Sequence, residues 1–367
     1  DAEADDDPGS SEGLFVFESA SDVPVALGDR VRVVGRVAEF PSDAEAPTTQ
    51  IGDVVSVTVC ERARALPSAA EIRLPLPRSR ADLEPLEGMR VRLPQTLAVV
   101  DNRQLGTYGE LTLWFDAGGE LPFSPTERVT PGSDAQRELE SLHERSGILL
   151  DDGSTTRDPD PVPWLSGFEP ETLRRGSTTE GLEGVLASDF GAYRVHPTAT
   201  PTFRPATRPE LPDIEADLRV VALNVLNLFT TIDDGENGAR GADSLAELDR
   251  QRAKLVATLC RLDPDVVALN ELENNGDDAE ASALATLQAA VESTCAPGLG
   301  RVDTGVTGVG GEEEPVSFTV GLLYRRRAVE PVGAPATLET DSFDGFSRPP
   351  VAQTFRPAGA SGERTFT

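Results

Sequence analysis

Apolar and polar positions alternate with period two through the first third of the chain, a pattern that predicts strands. Leu14 and Val16 alternate with Phe15 and Phe17. In GDRVRVVGRVAEF, Val31 and Val33 alternate with Arg30 and Arg32 until Gly35 interrupts the run as a bulge would. Further strands are expected over 49–60, 89–100 (closed by an Asp101-Asn102 turn) and 109–115, and a short helix over 134–145. The stretch 197–217 is rich in Pro, Thr and Ala with few apolar residues, which places a semi-rigid linker and a domain boundary at 206–217. Beyond it the pattern changes. Two short Val/Leu-rich runs, 219–223 and 265–269, suit strands buried on both faces. Between them Ser244 and Glu247 have the spacing of a capping box. Leu248, Leu255, Val256 and Leu259 then recur at helical spacing, and Asp263-Pro264 stops the helix. A second helix is expected over 278–294, with Leu284, Leu287 and Val291 as its apolar stripe. A strand follows over 316–324, and 362–367 begins another.

A strand–helix–strand unit brings the ends of its two strands to one rim of a sheet. Asn224 and Glu271, the polar residues that follow the two apolar runs, can therefore share a site there. An amide oxygen and a carboxylate are hard donors, suited to Mg²⁺ or Mn²⁺, with Ca²⁺ admitted, rather than to zinc. On spacing alone, a strand that simply ends in Asn or Glu is the commoner case. In the first region, short strands with a Gly-bent first member suit a small barrel, and their order is compatible with an OB-fold.

The segments LNVLNLF, RGADSLAELDRQRAKLV and DVVALNELENNG resemble, in the same order, the opening motifs of the endonuclease/exonuclease/phosphatase superfamily. Within it they are similar to secreted bacterial nucleases of the ExeM/NucH type. The segments GDRVRVVGRVAEF, LEGMRVRLP, LAVVDNRQLGTYGELTLW, LLDDGS and LEGVLASDFGAYRVHPT resemble the OB-like region that precedes the nuclease domain there. The resemblance implies a multidomain chain: an acidic tail over 1–13, an all-β OB-like region over 14–205, the linker 206–217, and, over 218–367, the N-terminal half of a DNase I-like α/β four-layer sandwich. It further implies that Asn224 and Glu271 bind the catalytic divalent metal, that Tyr324 (from VGLLYRRRAVEPV) positions the scissile phosphate or the metal-bound Glu, and that Arg348 (from SRPPVAQTFR) lies beside the substrate phosphate. Asn227 joins them as a substrate-binding residue. By composition, an aromatic residue ending a strand is usually core packing. The catalytic His of the family, expected soon after GERTFT, and the Asp–Asn and Asp–His pairs expected after it do not follow that segment in the sequence. The remaining C-terminal part of the same enzyme is the expected partner.

Composition tempers this reading. Sixty-three Asp and Glu face 33 Lys and Arg, a formal net charge of −30, and a uniformly acidic surface repels phosphate backbones. Local basic clusters, bound metal or a saline habitat would offset that repulsion. Arg30, Arg32 and Arg36 share one strand and read most simply as its solvated face, and Arg325–Arg327 form the one compact basic cluster after the linker. Three cysteines are too few for a disulfide scaffold. Cys260 and Cys295 lie late in the two successive helices, so a disulfide between them is expected in an oxidising compartment, although two buried thiols fit the same positions. The histidines, His143 and His196, sit in no general acid–base motif and read as structural. Asp151-Asp152-Gly153-Ser154 lacks the ligand ladder of a calcium loop and reads as a surface turn, and the glycine-rich 303–315 with its Glu312–Glu314 run reads as a solvated loop. No apolar run is long enough to cross a membrane. The expected function is a secreted, extracellular, metal-dependent nuclease acting on DNA, with RNA left open as a second substrate. A phosphoesterase on lipid or inositol phosphates would share the visible motifs, and a non-catalytic nucleic-acid-binding module is the reading from a different class.

Overall fold

The computed structural model describes residues 7, 9–17, 23–41, 47–116, 118–165, 173–276, 280–302, 304, 318–338, 349–360 and 364–367. Most of the acidic tail, the 303–315 loop with Glu312–Glu314 (Thr304 apart), and Arg348 fall outside the described residues. The chain divides into two compact units, Asp1–Arg208 and Pro209–Thr367, with the division inside the predicted linker.

The first unit holds strands β1 (Phe15–Val16), β2 (Arg30–Phe40), β3 (Thr48–Glu61), β4 (Ala70–Glu71), β5 (Arg90–Asp101), β6 (Leu111–Phe115), β7 (Gly147–Leu150), β8 (Thr178–Asp189), β9 (Ala192–Pro197) and β10 (Phe203–Arg204). Helix α1 (Leu105–Tyr108) precedes β6, and α2 (Asp134–Ser146) precedes β7. Strands β5, β6, β7, β9 and β8 pair in that order, and β8 returns to β5, so five strands close into a barrel. Closure removes the free edges of its member strands, and the alternation of each strand fills the interior. Val91, Leu93, Leu97, Val99, Leu111, Leu113, Ile148, Leu150, Leu186 and Val195 are all at most 1 % exposed. At roughly 1.5–3 kcal/mol per large side chain, this cluster is the main stabilising term of the unit.

The barrel is not built from the strands whose alternation first suggested it. The Gly-interrupted strand β2 pairs with β3, and β1 with β3, in a separate three-stranded sheet with few buried side chains. The bulge expected at Gly35 is present, between Val34 and Arg36. A Cβ there would lie 2.5 Å from Ile51 Cγ2 and 2.7 Å from the Gly52 carbonyl, so the two strands can approach only over glycine. Arg30 is exposed and pairs with Glu61 at 3.2 Å.

The second unit holds β11 (Val220–Leu228), α3 (Leu245–Leu262), β12 (Val266–Glu273), α4 (Ala283–Thr294), β13 (Leu299–Val302), β14 (Phe318–Arg325), β15 (Val329–Thr337) and β16 (Val351–Pro357). Its four-stranded sheet runs β11-β12-β14-β13, with β11 parallel to β12 and the other neighbours antiparallel. The hairpin β15–β16 forms a second, two-stranded sheet. Helix α3 begins at Ser244, whose side chain accepts from the Glu247 N–H, but the Glu247 carboxylate accepts from Asp243 N–H at 3.1 Å, so the expected capping box is not reciprocal. Asp263, in the left-handed region at φ 49°, ends the helix. Helix α4 starts later than expected, at Ala283, because Ser282 caps it.

Both helices pack on the sheet face that carries Val267, Leu269 and Leu323. Cys260 and Cys295 are joined in a disulfide across them, with Cα atoms 5.7 Å apart. Strand β11 corrects the expectation of burial on both faces. It lies at the sheet edge, and Val220, Ala222 and Asn224 are exposed. Ala222, Asn224, Ala268, Asn270, Val320 and Leu322 border a groove of about 460 Å³ on the sheet. No helix among the described residues is long and apolar enough to cross a membrane.

Candidate functional site

The parallel pairing of β11 and β12 sets Ala222 opposite Ala268, Leu223 opposite Leu269 and Asn224 opposite Asn270. Neighbouring strands lie about 4.8 Å apart, so Asn224 and Glu271 occupy adjoining positions on one rim. Both strands break regular geometry at this point. Between Asn224 and Leu228 the register shifts, and Leu226 and Asn227 adopt left-handed φ values of 55° and 52°. In β12 the register shifts between Asn270 and Leu272, and Glu271 itself has φ 67°. A non-glycine residue in this region is disfavoured by roughly 1–3 kcal/mol and persists only where its surroundings determine it. A bulge also breaks the strict alternation of faces and re-aims the side chain it carries.

Local contacts hold the β11 bulge. Asn224 Oδ1 accepts from Leu226 N–H at 2.8 Å, and Gln251 Nε2 on α3 donates to the carbonyls of Val225 (3.0 Å) and Leu226 (2.6 Å). Asn227 tolerates its φ because Asn adopts the left-handed region more readily than most residues. The Asn270 Oδ1 atom is buried and has no hydrogen-bond partner among the described residues. It is a second amide oxygen beside Asn224, in the same groove.

Next to this rim stands a carboxylate that sequence reasoning did not single out. Glu273, at the end of β12, is 6 % exposed. Its Oε2 accepts from Thr230 N–H (2.7 Å), Thr230 Oγ1 (2.8 Å), Thr231 N–H (3.1 Å) and Asn275 Nδ2 (2.9 Å), and its Oε1 accepts from Thr231 Oγ1. Asn275 Oδ1 in turn accepts from Ala283 N–H at 3.0 Å, at the start of α4. Glu273 thus ties the loop after β11 to the end of β12, and Asn275 extends the tie to α4. The signal was present in ELENN, where a second Glu and two Asn follow Glu271, but nothing in the string says which carboxylate is enclosed by donors.

Tyr324 does not join the site. Strand β14 runs antiparallel to β12, so Tyr324 pairs with Val266 at the opposite end of β12. Five residues separate Val266 from Glu271, about 16 Å along a strand. Tyr324 is 7 % exposed and packs with Val302, Val329 and Phe355, its ring centroid 5.3 Å from that of Phe355. Gly300 faces it, and a Cβ there would lie 2.3 Å from Tyr324 Cζ. The tyrosine is core. The adjoining basic cluster is structural at its first member: Arg325 is 6 % exposed, donates to the Pro264 carbonyl at 2.9 Å and pairs with Asp263. Arg348 lies outside the described residues, and Pro350 lines the groove with Asn224 and Asn270.

The histidines belong to the first unit. His143 packs edge-on against Trp114, with ring centroids 5.0 Å apart, and desolvation holds its imidazole below the usual histidine range. Burial also lowers His196, whose Nε2 lies 3.8 Å from Asp189 Oδ2. Asp151 corrects the expectation of a surface turn: it is 5 % exposed and pairs with Arg194. Among the described residues no three His, Cys, Asp or Glu side chains gather as a metal cage. The rim instead brings the backbone of Glu271 next to Asn224 and Asn270, whose side chains border the groove. No protein-family model and no curated protein matches the chain.

Proposed function

We propose that the chain is part of a secreted metal-dependent nuclease, its second unit carrying the metal-holding half of the active site in a DNase I-like sandwich. The observation that carries this reading is the pairing of Asn224 with Asn270, the residue just before Glu271, where two parallel strands both end in bulges. The donor set fits a hard divalent ion: one carboxylate and amide oxygens, including the orphaned Asn270 Oδ1. So few protein ligands suit Mg²⁺ or Mn²⁺, which keep several waters and share the substrate's phosphate oxygens, better than Ca²⁺. When bound, such an ion supplies Lewis-acid polarisation of a phosphoryl oxygen and offsets charge on the leaving oxygen. Asn224 and Glu271 would hold it, and Asn227 would offer amide donors to the phosphate. Arg348 supplies a guanidinium whose geometry matches phosphate. In this reading the general base is a His of the remaining part of the enzyme, as the resemblance implies. The Cys260–Cys295 disulfide supports an oxidising, extracellular location.

The test separates binding from chemistry. Free Mn²⁺ in titrations of the full chain is followed by electron paramagnetic resonance, and plasmid relaxation is assayed in parallel. Glu271→Gln is expected to weaken Mn²⁺ binding by about tenfold or more, with Asn224→Ala smaller in effect, as loss of a charged ligand exceeds loss of a neutral one. Any plasmid nicking should vanish in Glu271→Gln. Unchanged Mn²⁺ binding in both variants would remove the basis of the proposal. Release of phosphate from inositol phosphates, with plasmid untouched, would transfer it to the phosphoesterase reading.

A further inference from the structure

At one end of the barrel, Gln104, Tyr108, Glu110, Asp151, Phe190 and Arg194 line a pocket of about 390 Å³, with Ser154 and Thr155 at its margin. Its walls are unusual. Phe190 occupies the two-residue turn between β8 and β9, where Asp189 pairs with Ala192. Phe190 and Gly191 have φ 54° and 74°, the double left-handed geometry of a type I′ hairpin turn. That turn strongly prefers Asn-Gly, and a bulky residue at its first position is a conformational outlier. The strain brings no burial in return, because Phe190 is 81 % exposed. Tyr108, on α1, is 39 % exposed. Two solvent-facing aromatic rings therefore border one polar pocket, and neither contributes to the barrel core.

The floor is a buried ion network. Arg194 is 4 % exposed and bonds Glu110 Oε2 at 2.9 Å, Asp151 Oδ2, and the Asp189 carbonyl at 2.8 Å. Its Nε–H is buried without a partner among the described residues. The guanidinium carbon stands 5.4 Å from the Phe190 ring centroid. Two carboxylates against one guanidinium leave the floor with one net negative charge, in a chain whose net charge is −30. A ligand for this pocket needs an apolar face for the rings, several O–H or N–H donors for the carboxylates, and an acceptor for Gln104 and the Arg194 Nε–H. It must also carry no phosphate, which the acidic floor repels.

We propose that this pocket binds an uncharged saccharide unit, stacked on Phe190 and Tyr108 with its hydroxyls bonded to Glu110, Asp151, Gln104 and Arg194. Hydroxyl groups both donate and accept, matching a mixed floor that a purely donating or accepting ligand would leave unsatisfied. The volume suits one or two sugar rings.

Native affinity electrophoresis of the full chain tests it, in gels containing in turn a soluble β-1,4-glucan, a β-1,3-glucan, an α-glucan and a galactomannan. At least one should retard the protein, and both Tyr108→Ala and Phe190→Asn should weaken that retardation by about tenfold, the scale of a lost aromatic contact. Phe190→Asn installs the residue the turn prefers, so its melting temperature should hold or rise, which separates lost binding from lost folding. Mobility unaffected by all four polysaccharides, or retardation that survives both substitutions, would overturn the proposal. Retardation by poly(dT) instead, lost in the same variants, would overturn it in favour of an unpaired base.

Discussion

Replacing Glu273 tests whether the rim is built as the structure has it. Five donors converge on a carboxylate that is 6 % exposed, four of them on one oxygen. Hydrogen bonds to a charged acceptor contribute about 1.5–3 kcal/mol each, against about 0.5–1.5 kcal/mol for neutral ones. Glu273→Gln keeps an oxygen for the four-donor position, and Thr231 Oγ1 can rotate to accept from the new amide, so only charge assistance is lost. The expected loss is roughly 2–3 kcal/mol, less than the sum over bonds because they share one acceptor. Glu273→Ala strands every donor and should cost about 4–5 kcal/mol, in the exceptional range for one substitution. The two units can be followed separately. Both tryptophans, Trp114 and Trp164, lie in the first unit, whereas α3 and α4 are the longer part of the helical content. In urea unfolding, helical circular dichroism should report the destabilisation while tryptophan fluorescence keeps its midpoint. A circular-dichroism midpoint displaced by less than about 1 kcal/mol in Glu273→Ala would mean that the enclosed carboxylate does not hold the rim.

Two further outcomes are expected. The Cys260–Cys295 link closes a loop with a sequence separation of 35, for which chain entropy predicts a stabilisation of about 4 kcal/mol. The double alanine variant should lose most of it by circular dichroism, and a loss below about 1 kcal/mol would deny the link its role. In the first unit, burial pushes the Glu87 carboxyl up to about 7, opposed by the Thr49 N–H it accepts at 3.0 Å and aided by Glu84, Glu39 and Asp189. A raised folded-state value favours the neutral form, so this stabilisation is complete below about pH 4.5 and disappears as pH rises through about 7. Glu87→Gln should match the wild type at about pH 3.5, well below the ordinary carboxyl value, and gain up to about 3 kcal/mol over it at pH 8, read by tryptophan fluorescence; a gain as large at pH 3.5 as at pH 8 would reverse the reasoning.

How legible these features were depended on how local they are. The strand–helix–strand unit, with Leu248, Val256 and Leu259 inward and Ser244 at the cap, was readable because each signal lies within a few residues of its effect. Barrel membership was not. Strand β2 alternates as well as β5 does, and only non-local pairing assigns β5, with β8 and β9, to the barrel. Tyr324 was misplaced for a related reason: a strand's end reaches a given rim only if its direction is right, and β14 runs against β12. Asp151 read as part of a surface turn, and Arg325 as one member of an undivided basic cluster, because a string does not show the partners, Arg194 and Asp263, that make their burial tolerable.

Backbone conformation offers an independent pointer to function. Among the described residues, eight other than glycine adopt positive φ: Asp53, Ala63, Asp158, Phe190, Leu226, Asn227, Asp263 and Glu271. Asp and Asn visit this region readily, and Asp263 does so as the cap of α3. Ala63 has a small side chain and lies just after β3. What remains is Phe190, Leu226 and Glu271, three larger side chains with no local preference for the conformation. Leu226 and Glu271 face each other's bulges on the candidate metal rim, and Phe190 walls the barrel pocket. At the rim the strain is met by specific contacts, the Asn224 side chain and the Gln251 amide, which a random defect would lack. At the pocket the turn is tied only by Arg194, which donates to the Asp189 carbonyl and faces the Phe190 ring, and a replacement that relaxes the turn would stabilise the barrel. Strain held in place at the rim and strain left unrelieved at the pocket thus point, by separate routes and without appeal to resemblance, to the same two places where the side-chain chemistry does.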